Sequence, residues 1–121
     1  MLRDTDPAIK LAILFGSRAS GKANANSDTD VAVLADHPLS IDEKAHLAVR
    51  FATKLNVSED TIDLIDLWDA PPLLGHHVAE GGKLLEGSPY DFVRFRVLAW
   101  KRYLDTAKLR RMRSSALARN V

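Results

Sequence analysis

Runs of apolar residues along the chain predict three strands. The runs at 9–15 (IKLAILF) and 31–34 are short and continuous, as is typical of buried strands, and the polar, glycine-marked segment 16–27 between them is predicted to be a loop. A third strand is predicted over 61–67 (TIDLIDL), which is rich in β-branched and apolar residues. The first two predicted strands therefore flank this loop and fix both of its ends.

Helical spacing and capping residues predict three helices. Ser40 and Glu43 form a capping box before a helix that ends near Asn56, with a predicted apolar face of Ile41, Ala45, Ala48, Ala52 and Leu55. A short helix is predicted over 70–80, between a proline pair and a double glycine. The segment 88–91 (SPYD) begins a long helix, whose predicted core face contains Val93, Val97, Trp100, Leu104 and Ala107.

The element order β, β, α, β, α, α predicts a small sheet covered by helices, of α/β or α+β class. A chain of 121 residues is expected to form a single domain, 1–121. Its net charge of +1 hides an asymmetry, since 1–88 carry 8 basic against 14 acidic side chains (−6) and 89–121 carry 9 against 2 (+7). Such a basic segment indicates a partner surface, a nucleic-acid contact or simply a solvated helix.

Composition excludes several classes of protein. With 46% apolar and 27% charged residues the chain is expected to fold, and no apolar run is long enough to span a membrane. The start, MLRDTDPAIK, has acids where a signal peptide has a basic flank, so a soluble, cytoplasmic protein is predicted. Because the chain has no cysteine, its chemistry must come from carboxylates, hydroxyls or nitrogen bases.

The segment 16–30 (GSRASGKANANSDTD) carries the candidate chemistry. Asp28 and Asp30 are one residue apart at the start of a strand, so both carboxylates are expected on one face, with Cα atoms about 6 to 7 Å apart. They would repel each other, and a hard divalent cation would neutralise them. Gly16 and Ser17 end the preceding strand, where exposed N–H groups and a hydroxyl can cradle phosphate oxygens. We therefore predict a polyphosphate and Mg²⁺ between the turn and the acids.

Two other motif interpretations fail. Residues 16–22 match GxxxxGK, but a P-loop then needs Ser or Thr to bind Mg²⁺, and this chain has Ala23. An EF-hand loop counted from Asp28 would need Gly and Glu where Val33 and Leu39 stand. The histidine pair 76–77 is predicted to lie on the surface, since adjacent helical residues point to different faces and a third metal ligand is missing.

Gly16-Ser17, ten residues, then Asp28-Thr29-Asp30 resembles the signature of the minimal nucleotidyltransferases of the polymerase-β-like superfamily. The similarity runs from about Leu11 to the 81–87 stretch (GGKLLEG). Size and element order resemble the antitoxin branch that is paired with a HEPN-domain toxin ribonuclease. The resemblance implies a polymerase-β-like fold, with 1–88 as catalytic core and 89–121 as a C-terminal basic helix.

The resemblance also implies roles for individual residues. Asp28 and Asp30 would hold two Mg²⁺ ions, and Gly16, Ser17 and Arg18 would contribute to the site for ATP, together with the same two acids. Asp63, in the sequence Ile-Asp-Leu at 62–64, matches the family's third metal-binding acid better than Asp66 does, and the odd spacing of these two acids puts them on opposite strand faces. The chain departs from the family in its few residues before the first strand and in Ser20, which replaces a common second arginine.

The function implied by the resemblance is transfer of AMP from ATP to a tyrosine hydroxyl of a cognate HEPN toxin, which silences it within a hetero-oligomer. One alternative is a non-catalytic antitoxin that masks the toxin by binding. Another is a nucleotidyltransferase for a small-molecule hydroxyl, although 121 residues leave little room for an acceptor domain. The basic helix is predicted to dock the toxin through exposed Arg110, Arg111 and Arg113. Nucleic acid is not an expected partner, because no aromatic follows Tyr103 to stack on bases.

Overall fold

The computed structural model describes residues 8–22 and 27–119, with side chains up to residue 116. The N-terminal stretch 1–7 and Ala23 lie outside these ranges, so the predictions that concern them are not addressed by the structure. The elements, in chain order, are β1 (Ile9–Phe15), α1 (Ser17–Ser20), β2 (Thr29–Ala35), α2 (Ile41–Leu55), a 3₁₀ helix (Glu59–Thr61), β3 (Ile62–Asp66), α3 (Pro72–Gly81), β4 (Lys83–Glu86) and α4 (Pro89–Arg119).

The four strands form one mixed sheet in the order β3-β2-β1-β4. β1 is antiparallel to both β2 and β4, whereas β2 and β3 are parallel. The parallel pair is joined through α2, since parallel neighbours need a long crossover connection. The predicted fold class, a small sheet covered by helices, is confirmed.

Alternation along the strands gives the sheet two apolar faces, each with its own core. On the first face Leu11, Ile13 and Phe15 of β1 pack with buried Val78 of α3 and with half-buried aromatic residues of α4. On the second face Ala12 packs with the fully buried side chains of α2, which are Leu47 and Phe51. The domain thus has three layers, with α3 and α4 on one side of the sheet and α2 on the other.

The predicted boundaries of α2 and the predicted start of α4 are confirmed by their caps. The Ser40 hydroxyl accepts a hydrogen bond from the Glu43 amide at 3.1 Å, and a Glu43 carboxylate oxygen accepts one from the Ser40 amide at 2.9 Å. Asn56 ends α2 in the left-handed conformation, with φ of 57°. The Ser88 hydroxyl accepts a hydrogen bond from the Asp91 amide at 3.0 Å, at the start of α4.

Two short elements were not predicted. The expected loop 16–27 opens with the single helical turn α1, and the expected helix-to-helix connection after Gly82 contains β4. β4 has only four residues with charged ends, so it shows no periodic pattern of its own. This segment forms a strand because it pairs with the edge of β1, and that edge exists only once the sheet has folded.

The predicted apolar face of α4 was wrong, and that of α2 was right only in part, since Ala52 is buried and Leu55 packs against the core. In α2, Ile41 is 86% exposed, because the helix turns its larger side chains, Leu47 and Phe51, toward the sheet. In α4 the expected face lies in solvent, and Phe92, Phe95 and Ala99 pack on the core instead. Both sets of α4 residues follow helical spacing, so periodicity alone could not choose between them. The exposed set includes Val93, Val97, Trp100 and Leu104.

Within 8–22 and 27–119, no helix combines the length and the apolar character needed to cross a bilayer.

The orientation of α4 predicts unequal effects of two substitutions. Phe95→Ala should lower the free energy of unfolding by about 2 kcal/mol, because it removes a half-buried ring from the core. Val97→Ala should change it by less than about 0.5 kcal/mol, because Val97 is 59% exposed. Urea denaturation of the two variants measures both values. A larger loss for Val97→Ala would show that the opposite face of α4 is the buried one.

Candidate active site

The ends of three strands bring the candidate residues together. Phe15, the last residue of β1, lies opposite Asp30 in the antiparallel ladder, and Asp30 lies beside Asp63 in the parallel ladder between β2 and β3. Strand alternation puts both acids on the sheet face that α3 and α4 cover, the face to which Phe15 belongs. The carboxyl group of Asp63 lies close enough to that of Asp30 to raise its pKa.

Gly16 connects β1 to α1 directly in front of Asp30. Its backbone φ is 77°, a conformation that residues other than glycine rarely adopt. A Cβ at this position would overlap Oδ2 of Asp30. Only glycine lets the backbone pass this close to the carboxylate. Ser17 follows as the first residue of α1, so its position relative to Asp30 is set by this turn.

The electrostatics of the site centre on Asp30. Burial raises the pKa of its carboxyl group above the ordinary value, and the negative charges of Asp63 and Asp28 raise it further. His77 acts in the opposite direction and lowers the same pKa. Asp28 is exposed just before β2, and buried Thr29 separates it from Asp30. The fold therefore holds repelling acids together where a positive charge would relieve them.

The donor set fits a hard divalent cation. Carboxylate oxygens are the ligands that Mg²⁺ prefers, and a cation between the neighbouring carboxylates of Asp30 and Asp63 would relieve the charge interaction that raises the pKa of Asp30. In the described part of the chain no three acidic or imidazole side chains are already arranged to hold a metal ion. For Asp28 to act as a third ligand, its carboxylate would have to turn toward the pair.

Asp66, the rejected candidate for the third acid, has a different place. One of its carboxylate oxygens accepts a hydrogen bond from the Leu39 amide at 2.9 Å, and the other accepts one from the Trp68 amide at 3.0 Å. Its partner in the ladder is Val33, which packs against α2. Asp66 thus ties two loops together on the opposite side of the sheet, whereas Asp63 is exposed beside Asp30.

Arg18, predicted to contact the nucleotide, holds the loop in this structure. Its guanidinium donates a hydrogen bond to the Ser27 carbonyl at 2.9 Å, across the segment that leads to Asp28. Its buried Nε has no hydrogen-bond partner among the described residues. A role of Arg18 in nucleotide binding stays a prediction.

A cleft of about 360 Å³ opens beside this turn, lined by Gly16, Ser17, Ser20, His77, Glu80 and Gly81. His77 reaches it from α3, and its ring and the Phe15 ring are arranged edge to face with centroids 5.9 Å apart. The predicted surface position is confirmed for His77, which is exposed and lines the cleft. His76 is instead half-buried and stacks on Tyr103 of α4, with ring centroids 3.9 Å apart. Only the order of the layers could reveal this, because no local pattern joins α3 to the Gly16 turn.

Comparison with known proteins gives a consistent result. Residues 2–89 match the family described as Polymerase beta, Nucleotidyltransferase. The chain is 36% identical over 97 residues to the Protein adenylyltransferase MntA of Aphanizomenon flos-aquae, a match that covers 70% of this chain and 61% of that protein. It is 38% identical over 97 residues to the protein of the same name from Shewanella oneidensis, a match that covers 80% of this chain and 68% of that one. The chain thus spans less than two thirds of the length of the Aphanizomenon protein.

Solved structures are similar as well. A toxin-antitoxin crystal structure with AMP-PNP contains a chain with a TM-score of 0.76 and 33% identity, covering 96% of this chain and 92% of that one. A complex of tri-AMPylated Shewanella oneidensis HEPN toxin with MNT antitoxin gives a TM-score of 0.69 and 31% identity, covering 96% and 89%.

The raised pKa of Asp30 predicts how stability depends on pH and metal. Without metal the ionised Asp30 disfavours folding, and this cost disappears as the pH falls through the raised pKa. Asp30→Asn should therefore raise the melting temperature at pH 7 by about 1 to 3 °C and lose this advantage near pH 4. Adding Mg²⁺ should stabilise the wild type more than the variant. Calorimetry with and without Mg²⁺ tests this, and an equal response of both proteins to Mg²⁺ would rule out Asp30 as a ligand.

Proposed function

The chain belongs to the polymerase-β nucleotidyltransferase family, and from this we propose that it transfers AMP from ATP to a hydroxyl group of a partner protein. The observation that carries the proposal is the ladder pairing of Asp30 with Asp63 directly behind the Gly16 turn. Repelling carboxylates held beside a backbone turn suit a metal-bound polyphosphate. We further assign the catalytic unit to 1–88 and place the reaction in the cytoplasm, where ATP is available.

The chain itself positions the nucleotide. Gly16 and Ser17 line the cleft beside the acids, where a phosphate group can approach the backbone and the Ser17 hydroxyl can donate a hydrogen bond to a phosphate oxygen. Asp28, Asp30 and Asp63 would hold two Mg²⁺ ions. When bound, Mg²⁺ would neutralise charge on the triphosphate and lower the pKa of the acceptor hydroxyl.

The transfer step makes one bond and breaks one. The acceptor oxygen attacks the α-phosphorus of ATP, the bond from that phosphorus to the bridging oxygen of the β-phosphate breaks, and pyrophosphate leaves. The exposed Asp63 carboxylate accepts the proton of the acceptor hydroxyl and passes it to solvent. Because such transfer depends chiefly on positioning and electrostatics, the rigid sheet under the acids is the main contribution of the fold.

A HEPN toxin is the proposed acceptor, modified on a tyrosine. The similar Shewanella complex contains a tri-AMPylated HEPN toxin, and both named relatives are protein adenylyltransferases. A protein acceptor also suits the small size of the chain, because it brings its own surface to the site. Masking of the toxin by binding alone is the competing function, and it would not need the acids.

Substitution of the acids separates the two functions. Asp30→Ala and Asp63→Asn should each lower the rate of AMP transfer by at least about 10²-fold, because each removes a ligand at the reacting phosphate. Asp66→Asn is the matched control: it should cost about 1 kcal/mol of stability through a lost backbone hydrogen bond, and leave the rate of the folded protein nearly unchanged.

The measurement combines the chain with ATP, Mg²⁺ and the HEPN protein, and follows the mass of that protein and its ribonuclease activity. If Asp30→Ala silences the ribonuclease as well as the wild type does without adding AMP, the chain acts by binding alone. If Asp66→Asn is inactive and Asp63→Asn active, Asp66 is the third acid.

We propose that α4 docks the toxin. Its outer face exposes the apolar side chains Val93, Val97 and Trp100 beside a groove of about 450 Å³ between α3 and α4. Beyond this groove Arg111 and Arg113 are exposed, as predicted, but Arg110 is half-buried and lies over the Tyr103 ring at 4.4 Å. The exposed arginines suit an acidic rim on the partner, which steers association.

Reversing the charge of the two exposed arginines tests this surface. Arg111→Glu with Arg113→Glu should slow association with the toxin several-fold at low salt, less at high salt, and leave AMP-PNP binding unchanged. Toxin and RNA binding are measured side by side at two salt concentrations. Unchanged toxin association together with lost RNA binding would mean that the basic helix contacts nucleic acid instead.

A further inference from the structure

His77 is the histidine that lines the cleft beside the Gly16 turn. Its side chain reaches from α3 toward Gly16 and Ser17, the two residues that turn the chain in front of Asp30. Its ring packs edge to face with the buried Phe15 ring, with centroids 5.9 Å apart. His77 also lowers the pKa of the Asp30 carboxyl group, so it lies within electrostatic reach of the acids.

The ring nitrogens of His77 make no contact that the described part of the fold depends on. Among the described residues, no hydrogen bond or ion pair to His77 is formed, although the side chain is positioned by Phe15. The neighbouring acid of the cleft, Glu80, instead lies 3.5 Å from His76. A cleft with a serine hydroxyl on one wall and a free N–H donor on the other suits an anion with oxygens in several directions.

We propose that His77 is a nucleotide-binding residue that donates a hydrogen bond to the β- or γ-phosphate of ATP. This inference rests on the proposed function, and it adds a contact from α3 to a site otherwise built from the β1 turn and the acids. A nucleotide whose α-phosphate lies at the acids would extend its remaining phosphates along the Ser17 wall, which His77 faces. His77 would then hold the part of the substrate that leaves as pyrophosphate.

The contact predicts a loss of affinity that depends on the phosphate chain. His77→Ala should weaken Mg²⁺–AMP-PNP binding about tenfold or more and leave the affinity for AMP unchanged, because AMP lacks the two outer phosphates. His77→Gln keeps an N–H donor and should retain most of the affinity. His46→Gln is the control, since His46 is exposed on α2 across the sheet and bonds the Asp42 carbonyl.

Titration calorimetry of the full chain with Mg²⁺–AMP-PNP, AMP and inorganic pyrophosphate measures these affinities, and circular dichroism confirms that each variant is folded. Equal losses for AMP and AMP-PNP would place His77 against the nucleoside and overturn the proposal, as would unchanged AMP-PNP affinity in His77→Ala. Failure of the proposed function is distinct, since it would be seen as a wild-type chain that binds AMP-PNP but transfers no AMP to the toxin.

Discussion

Repulsion between acidic side chains that the sheet holds together is the constraint on which the site depends. The β2–β3 register keeps Asp30 and Asp63 side by side, because the backbone of each is fixed by the hydrogen bonds of its strand. The Gly16 turn closes on the same carboxylate, so water has less room to screen it. Neighbouring acids of this kind lower the stability of the folded state, and functional sites typically contain such unfavourable interactions, which favourable packing elsewhere in the fold offsets.

Much of the fold followed from local patterns, and the exceptions have a common cause. The strands, the Ser40 capping box and the glycine-ended α3 carry their signals within a few residues. β4 and the buried face of α4 depend on β1, which lies more than 60 residues away. Long-range packing of this kind leaves no mark on the spacing of residues within the element itself.

The candidate site divides in the same way. The proximity of Asp28 to Asp30 and the odd spacing of Asp63 and Asp66 are visible in the sequence, and the ladder then puts Asp63 beside Asp30. The spacing of residues could not predict which face of the sheet contains the site, because the helices that cover the sheet determine it. Only the family resemblance favoured Asp63. His77 was missed for the same reason: it joins the site because α3 crosses the sheet at the end of β1.

The strands at the two sheet edges have a consequence for how the protein associates. β4 has four residues and β3 has five, and β4 is further bound to α2, because Glu86 pairs with both Arg50 and Lys54. Edges this short and charged are poor templates for strand addition by another chain. The molecule is thereby protected from polymerising through its backbone. Specific recognition of another protein is left to side chains on the helical surface, which can distinguish one partner from another.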